Sequence, residues 1–490
     1  MPPEGRRPRQ SLAIRRCTKY ETILHASRGS LFAPENRRYT SAMHVPRSEP
    51  GLQSLSRANA EKSPSDSSSP NENFLHQKHN FFVLVVHQIL MRTGWIFKTE
   101  SIIMPAVLDW LGGTGFLRGC LPMLNRFGQS IPPLLLSRRI KLLSHKKTAL
   151  AACGLVMALC FLALSAIWYY AAGRPAPWMA MAFLIGYAAF FMGTGVNQLV
   201  FSTLQGKLIP ARRRGRLMLC ANVLGAIVAI TCAAILLKHW LRPGNTEFTW
   251  IFGFTGISFA LSACTGLFLV EQRDAYSQAT QGIGGIFRSA FNILTTDTNF
   301  RRCSIVAALY GSSIMLMPHY QLLGRQAVPG YESQANDLSV LTFWVIVQNA
   351  GTALFSLVAG PLADRFGNRL VLQVLLLCLM FAPITALLLS QSNSTLHHFY
   401  PVVFLLVGPM PIVIRTLNNL TLELSPRAEH PRYLGTLNLC LSGPVVLSPL
   451  IGLLIDLFGF SVVFSGTSLI ILLSWLMTFR LYEPRHHNST

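Results

Sequence analysis

Long apolar stretches recur along this chain from about residue 80 to its C-terminal end. Each has about 20 residues, the length of α-helix that crosses the ~30 Å hydrocarbon core of a bilayer. The stretches are continuous and do not alternate between apolar and polar residues, which favours helices over a transmembrane barrel. Only 13% of the 490 residues are charged, against about 25% in soluble proteins. The sequence therefore predicts an all-α polytopic membrane protein.

Twelve membrane spans fit the sequence. They lie near residues 81–107, 115–137, 148–170, 177–208, 217–238, 249–270, 302–323, 338–361, 369–390, 399–421, 434–455 and 460–480. The first span is the least regular, because Arg92, Lys98 and Glu100 interrupt it. The longest loop of the predicted inner set follows span six and contains a candidate interfacial helix near 286–293.

These spans divide the chain into five segments. We expect a disordered basic tail at 1–78, a six-helix bundle at 79–271, a cytoplasmic linker at 272–301, a second six-helix bundle at 302–482 and a short tail at 483–490. The first segment is rich in Arg, Ser and Pro and lacks apolar periodicity, which is typical of disorder. We interpret it as a dispensable tail. The alternatives are an organelle transit peptide, which its glutamates disfavour, and a translation start nearer Met43.

The Lys and Arg residues of the loops indicate an orientation. They concentrate in one set of loops, including 138–147 and 207–216, which the positive-inside rule places in the cytoplasm. The opposite set holds only Arg174, Lys238, Arg242 and Arg325. An even number of spans then puts both termini in the cytoplasm, and a bacterial inner membrane fits best. The net charge of +22 follows from the loops and the tail, so we expect no nucleic-acid partner.

A charged turn joins spans eight and nine. It reads Gly360-Pro361-Leu362-Ala363-Asp364-Arg365-Phe366-Gly367-Asn368-Arg369. This turn resembles the signature G-x-L-A-D-R-x-G-x-R of the major facilitator superfamily, which joins two helices on the cytoplasmic side. The resemblance implies a gate role for five residues, with glycines that allow helices to approach and charges that hold one conformation. These residues are Gly360, Asp364, Arg365, Gly367 and Arg369. The alternative is a charged loop that only follows the positive-inside rule.

The two halves of the chain also repeat. At an offset of 222, the loop 138–147 falls on 360–369, and at an offset of 216 Pro210, Arg216 and Asn222 fall on Pro426, Arg432 and Asn438. Two pseudo-symmetric bundles of six helices are the architecture that the resemblance implies, over residues 80–482. The first-half turn keeps Lys147 opposite Arg369 but has lost the two glycines and the aspartate, so the chain resembles a divergent branch of that superfamily.

Charged residues deep in the spans are the candidate binding residues, because each costs about 2.5–3.5 kcal/mol to insert. These candidates are Lys98, Glu100, Arg126 and Arg415, together with Gln348, which aligns with Arg126 across the repeat. Snorkelling to an interface or a structural ion pair is the alternative for the cations. With three cations and one carboxylate, the set favours an anionic or zwitterionic solute.

Glu100 is the candidate for proton coupling, since carboxylates embedded in membrane spans commonly serve as proton relays. The alternative is that Glu100 only neutralises Lys98 or Arg126. Two residues apart on a helix, Lys98 and Glu100 point to different faces, so we expect no direct pair unless Pro105 distorts the helix. His319 lies near the outer end of span seven, where we expect it to be solvated.

The function that these features predict is secondary active transport of a small solute by alternating access, with a proton as the candidate coupling ion. A transport-inactive receptor or scaffold with the same fold is the alternative, favoured by the degenerate first-half turn; a lipid-modifying enzyme is a third. The sequence has no P-loop or catalytic constellation, and the spacing of its ten cysteines does not suit a metal. We therefore expect a monomer in the lipid bilayer that is not an enzyme and has no cofactor or metal.

Overall fold

The computed structural model of the chain describes residues 70–171, 174–242, 245–273, 283–327, 340–391, 397–426 and 429–483. Residues 70–78 of the tail predicted to be disordered form the first part of a helix, and the rest of that tail lies outside the described residues. Of the predicted C-terminal tail at 483–490, only residue 483 is described. All of the described residues belong to one compact unit, which begins at Ser68.

Helices make up nearly all of the described chain. The first half contains α1 (Pro70–Ile96), α2 (Ile103–Trp110), α3 (Gly115–Leu142), α4 (Lys146–Tyr170), α5 (Pro177–Leu208), α6 (Ala211–Trp240) and α7 (Phe248–Leu267). Two antiparallel strands of two residues each, β1 (Leu241–Arg242) and β2 (Asn245–Thr246), lie between α6 and α7. The segment between the halves contains α8 (Ile283–Thr296) over the predicted interfacial stretch.

The second half has more interruptions than the first. It contains α9 (Thr298–Leu316), a 3₁₀ turn (Met317–His319), α10 (Tyr320–Gln326), α11 (Val340–Phe366), α12 (Asn368–Gln391), a 3₁₀ turn (His397–Phe399), α13 (Pro401–Val407), α14 (Met410–Leu424), α15 (His430–Val445) and α16 (Ser448–Thr478). Within α16, Gly459 has a φ of 79°, so the helix ends one crossing there and begins the next. Each predicted span thus coincides with one helix, a broken pair or one part of α16.

Three predicted spans are too polar to qualify as membrane helices by length and hydropathy. Among the described residues, eight helical segments qualify, and the last of them, Arg432–Thr478, is long enough for two crossings. The spans that fall short are those formed by α1 with α2, by α3, and by α9 with α10. Their low hydropathy has a structural reason, because they contribute most of the buried charged residues described below.

Span one is unwound at residues 97–102, between α1 and α2. Pro105 is the third residue of α2 and has no N–H, so the helix cannot continue backwards through the carbonyl of Ser101. Thr99 compensates, because its hydroxyl accepts from the backbone N–H of Ile103 at 3.2 Å and its carbonyl from Met104 at 3.0 Å. The unwound stretch holds Lys98 and Glu100 inside the bundle.

The halves share the same internal packing. In the first half α4 packs on α7 and α1 on α6, and in the second half α12 packs on α16 and α9 on α15. A local detail repeats as well. The Glu271 carboxylate accepts from the backbone N–H of Lys147 at 2.8 Å, and the Glu483 carboxylate accepts from that of Arg369 at 2.8 Å. This agrees with the offset of 222, which equates Lys147 with Arg369.

The two ends of the bundle are named here by the charged turn. The motif end carries residues 360–369, and the far end is the opposite one. Because successive spans alternate in direction, the far end contains the C-terminus of α2, the N-terminus of α3, and α10.

Candidate functional site

A buried polar site lies at the break in span one. Lys98 is 1% exposed and Glu100 is 8% exposed. Among the described residues, no carboxylate lies within ion-pairing distance of Lys98. The expectation that Lys98 and Glu100 form no direct pair is confirmed, although the reason is the unwound backbone and not the two faces of a continuous helix.

The Lys98 ammonium lies in a cage of three aromatic rings. Its Nζ is 3.4 Å from the ring centroid of Trp95, 4.1 Å from that of Phe191 and 5.1 Å from that of Phe190. A cation over an aromatic face gains about 2 kcal/mol or more when both are desolvated. Close packing of α3 on α5 fixes this cage, because Gly128 lies directly against Phe191. The cage explains how Lys98 stays buried without a carboxylate partner.

Only one of the two carboxylate oxygens of Glu100 has a hydrogen-bond partner among the described residues. One carboxylate oxygen, Oε2, accepts from the amide of Asn125, whose own oxygen accepts from Gln129. The other oxygen, Oε1, is buried and has no hydrogen-bond partner among the described residues. A buried carboxylate oxygen without a hydrogen-bond partner is destabilising, so binding of a ligand donor or a proton at this atom is favoured.

Arg126 follows Asn125 on α3 and lies where α3 contacts α9 of the other half. Its charge interacts with Glu100 and with the hydroxyl of Tyr310. That hydroxyl is held in place, since it donates to the carbonyl of Met410 at 2.8 Å. The Nε of Arg126 is buried and has no hydrogen-bond partner among the described residues.

The second half closes the site through Gln348, whose side-chain oxygen accepts from Ser101 at 2.6 Å. Four of the five predicted binding residues are therefore brought together at the junction of the halves. Arg415 is the exception, since it is exposed on α14 towards the motif end. Its electrostatic neighbour is Arg92, which donates to Asn222 at 3.2 Å.

The charged turn contains residues in two different environments. Asp364 and Arg365 are exposed and form no ion pair with another described residue, and a Cβ at Gly360 would meet no atom within 4 Å. Gly367 has a φ of 87°, which favours glycine, and lies against Glu483. Arg369 donates to the carbonyl of Phe479 at 3.0 Å. The structure thus gives Gly367 and Arg369 structural contacts that the other three lack.

Sequence reasoning missed a charge network at the far end. Asp109, at the end of α2, pairs with Arg118 of α3 at 2.5 Å and with Arg325 of α10 at 3.7 Å. It also accepts from Gln321. All three charged side chains are at most 8% exposed. Asp109 therefore connects the first half to the second through buried charges.

Close helix packing surrounds this network. Asp456 of α16 lies 3.9 Å from Arg118 and accepts from the backbone N–H of Gly115 at 2.8 Å. Gly115 and Gly452 are in direct contact, so α3 and α16 approach without intervening side chains. The far end is closed by these contacts between the halves.

His319 belongs to the same region, and its predicted solvation is wrong. The side chain is fully buried, and neither ring nitrogen has a hydrogen-bond partner among the described residues. The 3₁₀ turn that joins α9 to α10 moves it inward against α3. The sequence did contain a signal for this network. Asp109, Arg118, Arg325 and Asp456 lie near the ends of spans one, two, seven and eleven, all on the predicted outer side.

No group of three or more His, Cys, Asp or Glu side chains in the described ranges is placed to hold a metal ion. The arrangement supports reversible binding of a polar solute at the junction, with one end of the bundle closed. The side chains of this site can recognise a solute through charge and hydrogen bonds. They are Lys98, Glu100, Arg126 and Gln348.

Comparisons with known proteins agree with this architecture. Residues 327–490 match the family model of the Major Facilitator Superfamily. No curated protein matches the chain in a sequence search. Among solved structures, a variant of the nucleoside transporter NupG has 14% identity and a TM-score of 0.63, covering 81% of this chain and 99% of that chain.

Two further structures have a similar fold. A POT family transporter in complex with 5-aminolevulinic acid has 13% identity and a TM-score of 0.61, covering 83% of this chain and 96% of that one. The transporter FucP in its outward conformation has 15% identity and a TM-score of 0.54, covering 83% and 100%. Identities this low show a shared fold alone. Residues 327–490 are thus similar to the Major Facilitator Superfamily, and the membrane region shares the fold of these solved transporters.

Proposed function

We propose that this protein is a secondary active transporter that moves a small anionic or zwitterionic solute by alternating access. The observation that carries the proposal is the convergence of Lys98, Glu100, Arg126 and Gln348 in one site between the halves, where Lys98 and Glu100 are buried and Arg126 and Gln348 are half-buried. A scaffold without transport has no need for buried charged atoms without partners, which are costly inside a membrane. The named structural neighbours, a nucleoside transporter among them, support a small solute as cargo.

The orientation follows from loop charge. Lys and Arg cluster at the motif end, so we infer that this end and both termini face the cytoplasm, as in a bacterial inner membrane. The closed far end then faces outward, and the structure corresponds to a state that binds or releases solute on the inside. The exposure of Asp364 and Arg365 supports this inference, because the gate role that we propose for them requires contacts that bury them when the gate is closed.

Replacing Arg126 with Gln tests the solute site. We expect the affinity for anionic solutes to fall about 100-fold or more, or about 2.7 kcal/mol, because a half-buried cation that receives the solute charge is lost. The measurement is the rise in melting temperature of the purified protein with carboxylates, phosphate esters, amino acids, amines and neutral sugars, followed by uptake into liposomes. Arg174→Gln, in an exposed far-end loop, is the control for loss of one positive charge.

Unchanged binding and uptake of anions by Arg126→Gln would contradict the proposed site. A protein that binds a solute but carries none across liposomes, in the presence or absence of an ion gradient, would support the transport-inactive alternative.

Glu100→Gln tests proton coupling. The amide keeps the size of the side chain and cannot exchange a proton, so we expect accumulation driven by a pH gradient to be lost, while solute exchange at saturating solute concentrations continues. The measurement compares both activities in the same liposomes, with Glu429→Gln as a control because Glu429 is exposed. Accumulation that persists in Glu100→Gln would assign the coupling to another group.

A further inference from the structure

Two unfilled hydrogen-bonding atoms of opposite charge lie in the central site. Glu100 Oε1 is a buried acceptor without a donor, and Arg126 Nε is a buried donor without an acceptor. Asn125, the residue before Arg126 on α3, donates to the other oxygen of the Glu100 carboxylate, so both atoms lie in the same part of the site. A buried charged group without its hydrogen-bond partner is destabilising, and a bound solute would remove that destabilisation by filling both positions.

The protein cannot fill the Glu100 position from its own neighbouring side chains in this state. Lys98 is held in the cage of Trp95, Phe190 and Phe191, and Asn125 is bonded to the other carboxylate oxygen. The Tyr187 hydroxyl, which also interacts with Glu100, is fully buried and has no hydrogen-bond partner in the described part of the chain. Among the described residues no side chain fills this position, so we assign the missing donor to the solute.

A simple anion does not suit the site as well as a dipolar molecule. It would pair with Arg126, yet it would leave Glu100 Oε1 unfilled and bring a second negative charge beside it. A simple cation would pair with Glu100 and leave Arg126 without an acceptor. Charge-assisted bonds are about twice as strong as neutral ones, so an ammonium is a better donor to Glu100 than a hydroxyl group.

We propose that the solute is a zwitterion, with an ammonium group that donates to Glu100 Oε1 and an anionic group that accepts from Arg126. This inference rests on the proposed function and narrows its substrate class. Lys98 then has a supporting role, since its caged charge offsets Glu100 at a distance without occupying the oxygen that the ammonium needs. A proton and an ammonium cannot occupy Glu100 Oε1 together, so these two roles belong to different steps of a transport cycle.

The test uses two matched series of probes, because two chain lengths sample two separations of the charged groups. One series is 5-aminopentanoate, pentanoate and pentylamine, and the other is alanine, propanoate and ethylamine. Titration calorimetry of the purified full chain measures each Kd. We expect the zwitterion of at least one series to bind 10-fold or more tightly than both of its singly charged relatives.

Variants assign the two ends of the zwitterion. Glu100→Gln should abolish the advantage of the zwitterion over the acid, and Arg126→Gln should abolish its advantage over the amine. Arg174→Gln removes a positive charge from an exposed far-end loop and should leave both ratios within about 2-fold, since exposed charges contribute little. Each ratio compares the Kd values of two probes for the same variant, so a partly folded preparation does not change it. The comparison of probes on the wild-type protein stands even if a variant fails to fold.

Different failures have different meanings. If acids bind as tightly as zwitterions and are carried into liposomes, the zwitterion inference is overturned and anion transport stands. If a zwitterion binds selectively but no probe crosses the liposome membrane, the site stands and the transport proposal is overturned. If amines bind best, or if no zwitterion binds better than its relatives, the inference is wrong.

Discussion

Asp109→Asn is expected to open the far end of the bundle and to reduce transport about 100-fold or more. Asp109 is the shared partner of Arg118 and Arg325, whose side chains are 7% and 5% exposed. Without its charge, two buried arginines from opposite halves lose the carboxylate that they share. Removing one partner of a buried ion pair costs about 3–5 kcal/mol, and here the molecule avoids that cost by separating the halves.

Electron spin resonance distances between labels on the two halves measure this opening. Pro175→Cys and Phe399→Cys place labels at exposed far-end positions, one in each half. We expect the population with the short distance to fall about 100-fold relative to the longer one, as 3 kcal/mol requires. Melting temperature and elution volume show whether the variant remains folded, so that opening is distinguished from unfolding.

Asp456→Asn is the matched control at the same end. Its carboxylate lies 3.9 Å from Arg118 and is 36% exposed, so water can replace much of the lost interaction. We expect a small shift in the distance distribution and transport within about 3-fold of wild type. Equal effects of the two substitutions, or an unchanged distribution in Asp109→Asn, would show that the network does not hold the far end closed.

The fold could be predicted from sequence because it follows from local composition. Apolar stretches of membrane-crossing length do not depend on which helix packs beside which, and each predicted span coincides with helical structure. The break in span one was only partly visible. Pro105 indicated a distortion, but the extent of the unwound stretch depends on Thr99 replacing the lost helical bonds.

The sites needed information that no single segment contains. The cage around Lys98 requires α5 to present Phe190 and Phe191 to α1, which depends on the packing of whole helices. The far-end network joins residues up to several hundred positions apart, such as Gly115 and Asp456. Each of these residues alone is an ordinary residue near a span end. Lys98, Glu100 and Arg126 could be found because a charge deep in a span is unusual by itself.

The degenerate first-half turn has a physical explanation in the repeated contacts. The residue that both copies keep basic is Lys147 in one and Arg369 in the other, and each donates its backbone N–H to a carboxylate at 2.8 Å. Each side chain also bonds the end of the last helix of its half, through Leu269 at 2.9 Å and Phe479 at 3.0 Å. The first half has therefore retained the position that stabilises the bundle. The positions it has lost correspond to Gly360, Asp364 and Gly367.

Gly452→Leu is expected to prevent closure of the far end by steric contact alone. A Cβ at position 452 would overlap the backbone carbonyl of Gly115, which cannot rotate away as a side chain can. The helices α3 and α16 must then separate by the thickness of a side chain. Overpacking ordinarily costs about 1–3 kcal/mol, and the cost is higher where backbone meets backbone, so we expect transport to fall about 100-fold while the protein remains folded.

Gly466→Leu in the same helix is the control, because a Cβ there meets no atom within 4 Å. It adds the same apolar side chain and should leave transport unchanged. The distance between labels at 175 and 399 should lengthen only in Gly452→Leu. Because this substitution removes no charge, agreement with Asp109→Asn would show that closure itself, and not the charge of Asp109, is what transport requires. Normal transport by Gly452→Leu would mean that α3 and α16 need not touch during the cycle, and alternating access would then need a different far-end gate.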